Sequence, residues 1–210
     1  NLAFGILLSS SSGNTVNGNT ISGNSTDGLV ISGNNNVLSN NNITGNSGLG
    51  ITASVSTGNQ FTNNTVETNG FGGISISSST AVLTGNLVSG NQGVGISLNA
   101  ANGNTISENT VSGNSNSGLV ISGSDNSLTN NSFTGNAGLG LSVTSGTGNL
   151  VTDNTVGANT LGGISISNSA INLTGNTVTG NLNFGISVSA SNGNELSGNI
   201  ISGNSSNGLV

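Results

Sequence analysis

The chain has no lysine, arginine or histidine, and no cysteine, proline, methionine, tryptophan or tyrosine. Each absence removes something. Without a cation no phosphate can be neutralised, so nucleic-acid binding is excluded, and attraction to an anionic membrane surface falls with it. Without cysteine there is no disulfide, and the redox compartment stays open. No apolar run approaches the roughly 18 residues of a membrane-spanning helix, so membrane insertion of this segment is excluded. The short apolar run Gly5–Leu8 lacks the charged flank of a secretory signal. Charge is confined to Asp27, Glu67, Glu108, Asp125, Asp153 and Glu195, a formal net charge of -6. A Gly/Ser/Asn/Thr-rich composition ordinarily reads as disorder, but a disordered segment needs no apolar residue at a fixed place in every repeat.

Such fixed places are what the chain contains. With Ile21 as a marker, the equivalents are Ile43, Val66, Val88, Val111, Phe133, Val156, Val178 and Ile201, at steps alternating between 22 and 23 residues. Asn stands two before every marker, from Asn19 to Asn199, and three after it, from Asn24 to Asn204, with Asn1 one coil earlier. Gly stands seven after every marker, from Gly28 to Gly208, with Gly5 preceding. A third Asn column, seven before the marker, includes Asn14, Asn36, Asn59, Asn104, Asn126, Asn149 and Asn194, and breaks at Ala81 and Ile171, 90 residues apart. A period in the twenties marks a solenoid. The repeat is unbroken, so residues 1–210 form a single array.

Apolar residues fill four columns: five before the marker (Val16 to Leu196), the marker itself, and eight and ten after it (Leu29/Ile31, Ile51/Ala53, Ile74/Ile76 and onward). The spacing of two, as in GISIS at Gly73–Ser77, is strand alternation with Ser or Thr outward. Each coil then has three short strands, around Val16, around Ile21 and over Leu29–Ser32. Strands this short can pair only with the equivalent strand one coil on, in parallel. The fold class is therefore an all-β parallel β-helix of about nine and a third coils, roughly 45 Å long at about 4.8 Å per coil. The Asn columns belong at the corners, where Asn tolerates positive φ and stacked amides form ladders. The Gly column implies a special backbone geometry or a close approach that a Cβ would block.

Longer periods are nested in the array. Residues 46–86 match 136–176, a super-repeat of 90 residues or four coils. One coil in each pair carries a further apolar residue six after its marker: Phe4, Leu49, Val94, Leu139 and Phe184. Alternation run backwards from the eighth and tenth positions predicts these inward, widening the core in every second coil; the outward alternative is an apolar seam for lateral association. Asn1 enters and Val210 leaves in mid-coil, both coils fitting the consensus, so the expected continuation is covalent, in both directions, into a filament, or by end-to-end self-association.

The pattern N-x-I-[ST]-G-N…G-[IL]-x-I, as in NTISGN at Asn19–Asn24 followed by GLVI at Gly28–Ile31, covers the whole chain. It resembles the right-handed parallel β-helix repeat family, the pectate-lyase-like superfold whose members include lyases, polysaccharide-processing proteins and many surface proteins. Right-handedness is an implication of that resemblance, and fold alone does not carry function. Lyases and hydrolases of the superfold resemble one another in using clustered acids, often with calcium, and commonly a base.

Here the base is missing. Glu108 and Asp153 share a column but sit two coils, roughly 9 to 10 Å, apart. The other acids occupy four further columns, so neither a glycosidase carboxylate pair nor a calcium cage follows. Ser and Thr have no His or Lys to activate them, and the Gly-rich stretches lack the Lys and helix of a phosphate loop. The sequence names no catalytic, metal or cofactor-binding residue, and the expectation is that the chain is not an enzyme. N-x-[ST] sequons at Asn24, Asn42, Asn63, Asn130, Asn172 and Asn204 fall out of the repeat. The expected role is a structural segment of a long secreted or cell-surface β-helical filament, stalk or adhesin, which uncharged polar surfaces and the lack of trypsin sites suit. The alternative is a polysaccharide-binding module, weakened by the presence of only five Phe as aromatics. Ice binding by hydroxyls flanking the marker, as at Thr110/Ser112 and Thr177/Thr179, ranks third, because Glu67, Leu87, Gly157 and Ile200 interrupt the face.

Overall fold

The computed structural model describes residues 1–210. Every strand pairs in parallel with its equivalent one coil on, and the columns stay in register: Ile21 beside Ile43, Ile43 beside Val66, Val88 beside Val111. The strands build three faces. One runs from Thr15–Asn17 to Glu195–Ser197 (the Val16 sheet), one from Thr20–Ser22 to Ile200–Ser202 (the Ile21 sheet), and one from Ile6–Leu8 through Leu29–Ile31 to Ile186–Ser189 (the Leu29 sheet). The Ile21 sheet has nine strands; the other two merge into a 17-stranded sheet, because the strand Leu139–Thr152 runs through the corner between them. Inward residues of all three faces form one core cluster of 34 apolar side chains, Phe61 and Phe133 among the largest. This is the β-helix expected from the four apolar columns.

Corners recur because two residues at each do separate jobs. The first takes a left-handed backbone: Asn40, Asn63, Glu108, Asn130 and Asp153 have φ of 52–59°, with Gly18, Gly85, Gly175 and Gly198 in the same column. The second is the ladder Asn. Positive φ, expected on the ladder Asn itself, falls instead on the residue before it. The ladder amide must point inward, and the turn that aims it is made one residue earlier.

Once aimed, the amide closes a complete set of hydrogen bonds. Asn109 donates from its backbone N–H (2.9 Å) and from Nδ2 (3.0 Å) to Oδ1 of Asn131, one coil on, and from Nδ2 to the Leu83 carbonyl one coil back (3.0 Å). Its own Oδ1 accepts from the backbone N–H and Nδ2 of Asn86, each at 2.9 Å. Two ladders run unbroken, from Asn19 to Asn199 and from Asn1 to Asn204. The third is interrupted where the sequence departs from Asn: Ala81 still donates its N–H to Asn104 Oδ1 (2.7 Å), and Asn59 Nδ2 turns to Ser56 Oγ (2.9 Å). The Asn side chains fill most of the buried polar positions, and the only buried polar side-chain atom without a partner is Thr26 Oγ1. A buried amide without partners would cost about 1–3 kcal/mol, so this degree of satisfaction is what makes a polar column tolerable inside the rod.

The glycine column is a close approach, as expected. A Cβ on Gly118 would lie 2.7 Å from the Gly140 carbonyl oxygen and 2.9 Å from Asn136 Nδ2, on the inner side of the chain. Because both this glycine and the residue after it are buried, the alternation breaks there: Leu49–Ser54 and Val94–Asn99 each show two consecutive buried positions, the second and third. The inward expectation for Phe4, Leu49, Val94, Leu139 and Phe184 is therefore corrected. They lie outside the core cluster, half-buried or exposed, on the turn that enters the Leu29 sheet. Leu49 and Phe184 rest on a neighbouring coil that has glycine at the same place. Leu49 Cδ2 is 3.2 Å from where a Cβ of Gly72 would be, and the Phe184 ring covers Gly162.

Two measurements follow from this packing. Asn109→Leu leaves Leu83 O and the Asn86 N–H unpaired inside the rod and lowers the unfolding free energy by about 1–3 kcal/mol per orphaned group in a urea titration; an unchanged midpoint would make the amides dispensable. Leu139→Asp keeps the parent fold by circular dichroism at a cost within about 1 kcal/mol, whereas Leu141→Asp, two residues along and fully buried, unfolds the rod. Unfolding by both would return Leu139 to the core.

Candidate functional site

The six carboxylates do not converge. Asp27 sits on the turn into the Leu29 sheet and is tied down, accepting from the Leu49 N–H (2.8 Å) and Thr52 Oγ1 (2.7 Å). Glu67 accepts from Ser89 Oγ (2.6 Å), and Glu195 from Asn172 Nδ2 (3.2 Å). Glu108, Asp125 and Asp153 occupy left-handed corner positions with φ of 55–59°, exposed to solvent. No three acids come together as a metal-ligand group. Of the sequons, Asn24 is buried in a ladder, while Asn42, Asn63 and Asn130 are exposed.

Two surfaces are distinctive instead. The first is an apolar edge along the turn between the Ile21 and Leu29 sheets, at the three positions four, five and six after the marker. Of the five Phe, Phe61 and Phe133 are core, and the other three, Phe4, Phe71 and Phe184, all stand on this edge. Phe71 is 75% exposed and Leu161, its equivalent 90 residues on, 56%. The size pattern is complementary from coil to coil: Gly48/Leu49, then Phe71/Gly72, then Gly93/Val94; and again Gly138/Leu139, then Leu161/Gly162. In these five coils, where one position is large the adjacent one is glycine, so the apolar side chain alternates between the two positions along the edge. Beside the edge runs the outward row of the Leu29 sheet, including Thr52, Ser75, Ser97, Ser165 and Ser187. Ring faces bordered by hydroxyls are what a sugar-binding surface needs: apolar stacking area and hydrogen-bonding groups within one residue's reach.

The second surface is the outer face of the Ile21 sheet. One row reads Thr20, Asn42, Thr65, Leu87, Thr110, Ser132, Thr155, Thr177, Ile200; the other reads Ser22, Thr44, Glu67, Ser89, Ser112, Thr134, Gly157, Thr179, Ser202. Among its hydroxyls only Thr44, bonded to Thr68, and Ser89, bonded to Glu67, have a side-chain partner in the protein. The rest point to solvent with their hydrogen bonds unspent. Phe71 and Leu161 do not stand out in the sequence; the signal that finds them is the glycine that follows each of them, Gly72 and Gly162.

A comparison with curated protein sequences finds no match. Among solved structures, the chain is similar to the periplasmic alginate epimerase AlgG (TM-score 0.74, 19% identity, 83% of this chain and 47% of that one). It is similar to the A-module of the Azotobacter vinelandii mannuronan C-5 epimerase AlgE4 (TM-score 0.72, 17% identity, 97% and 73%) and to the pectate lyase Pel9A (TM-score 0.68, 15% identity, 82% and 56%). The chain thus spans about half the length of AlgG. These neighbours are enzymes, which overturns the expectation that the chain is not one. That exclusion rests on missing side-chain types alone. At these identities the likeness carries the fold. The model of the right-handed β-helix region matches residues 1–86 and 72–210, and the chain belongs to that right-handed β-helix family.

Proposed function

We propose that this chain is the β-helical part of a secreted or cell-surface protein that engages polysaccharide, the polymer lying lengthwise against the apolar edge. The observation that carries the reading is the gathering of all three surface aromatics, Phe4, Phe71 and Phe184, on one edge of a rod with no other exposed ring. The neighbours support the same class: alginate epimerases, a pectate lyase and the Dettilon tailspike protein share the fold. Electrostatics favours a neutral polymer. Alginate and pectate are polyanions, and a chain of net charge -6 without a single cation repels them. Rigidity suits the task, because stacked coils present the edge without the ordering cost a flexible loop would incur.

A second reading, a structural stalk or filament segment, is favoured by the near-duplicate 90-residue unit and by two ladders that run unbroken through the array. Electron micrographs of the native material showing thin rods much longer than about 45 Å favour the stalk.

The test is affinity electrophoresis of the 210-residue chain in gels containing neutral glucans, mannans or xylans, with alginate and pectate alongside, and chromatography of each polymer afterwards to detect turnover. Retardation by a neutral polymer is expected, with Phe71→Ala/Leu161→Ala weakening it about tenfold, the size of one lost stacking contact and one lost apolar contact. Retardation by none of the polymers, or retardation indifferent to the double substitution, would contradict the reading.

A further inference from the structure

The Ile21 face differs from the edge in chemistry and in regularity. It has no aromatic ring. Its one charge, Glu67, is occupied by Ser89. What it offers is two rows of outward hydroxyls with few protein partners, repeating about every 4.8 Å along the rod and about 6.6 Å between rows, two residues of parallel strand. It is also the sheet with the most complete support at its edges. Parallel strands ordinarily accumulate twist, and sheets stay flat over many strands where side-chain ladders stack beneath them. The Ile21 sheet alone lies between two unbroken ladders, Asn19–Asn199 on one side and Asn1–Asn204 on the other; the remaining two sheets share the ladder that fails at Ala81 and Ile171.

We propose that this face binds ice. A hydroxyl exchanging one water for another gains almost nothing, because the hydrogen bond formed replaces one of the same kind. A lone soluble ligand therefore has little to hold it on a surface without rings or charges. A solid is different: it meets all rows at once, and small gains add over many equivalent positions that are already fixed in space. The solid must be uncharged, since the face is nearly so, and must itself donate and accept at short regular spacing. Crystalline water meets those conditions, and the Thr methyl groups lie against it without demanding partners. The interruptions at Leu87 and Ile200 are apolar and those at Asn42 and Gly157 uncharged; the single charged one, Glu67, accepts a hydrogen bond from Ser89 Oγ (2.6 Å). The face shares no residue with the apolar edge, so it stands or falls independently of polysaccharide binding.

The experiment is thermal hysteresis and incorporation into a slowly grown ice hemisphere, using the chain as it is, with Thr110→Tyr/Thr155→Tyr on the face and Thr105→Tyr on the Val16 sheet as a control. All three positions are exposed strand residues, and circular dichroism verifies that each variant is folded. The parent is expected to shape and enter ice, the face variant to lose both effects, and the control to keep them. Absence of both effects in the parent, equal loss in face and control variants, or sedimentation with crystalline cellulose or chitin in place of ice would each overturn the proposal.

Discussion

The structure depends on one interaction: an asparagine whose backbone N–H and side-chain Nδ2 both donate to the Oδ1 of the asparagine one coil on. That bond fixes more than a corner. It sets the coil-to-coil register, since a slip by one residue would put the Asn86 amide opposite Glu108 or Thr110 instead of Asn109. It also satisfies a carbonyl of the previous coil, as Asn109 does for Leu83, so the turn is paired as fully as the strands are. With three ladders per coil, two of the sides are five residues long and the third takes the remaining twelve or thirteen, which is where the alternation between 22 and 23 residues is absorbed. The register irregularities fall on that side or its corner, at Ile121/Ser122 and Thr147/Asn149.

The apolar core is the ladder's counterpart. Short strands of three residues could not bury enough surface alone, but stacking puts Ile21 under Ile43 under Val66 in one dry column. Burial of each such side chain contributes about 1.5–3 kcal/mol, and the ladder decides that these burials occur in one arrangement and not in several. Glycine completes the fit. At Gly118 the chain passes so near the ladder and the next coil that any side chain would displace one of them.

Much of this is legible in the sequence, because each physical requirement recurs at a fixed place. Ile21 and its equivalents mark the core, Asn19 and Asn24 the corners, and Gly28 the close approach. Two expectations fail for local reasons. Strict alternation places Leu139 inside, but the backbone breaks the alternation at the glycine column. The tolerance of Asn for positive φ points to the ladder Asn, whereas Asn40 or Glu108 before it carries the strain. The surface is harder to read, since charged and nucleophilic groups are the usual signs of activity and the distinctive surfaces here are uncharged. Phe71 and Leu161 become visible only when their glycine partners are placed beside them in space. The missing bases, for their part, argue against an enzyme, and the structural likeness to epimerases and a lyase overturns that exclusion.

Whether the amide ladders hold the coils together can be measured residue by residue, by native-state hydrogen exchange of the intact chain. The backbone N–H groups of Asn64, Asn86, Asn109, Asn131 and Asn154 each donate to the next Oδ1 at 2.9 Å. They should exchange only through global unfolding, as slowly as the N–H groups of the central Ile21-sheet strands. Rapid exchange at those asparagines, with the strands still protected, would show that the corners open independently and that the apolar column alone maintains the stack.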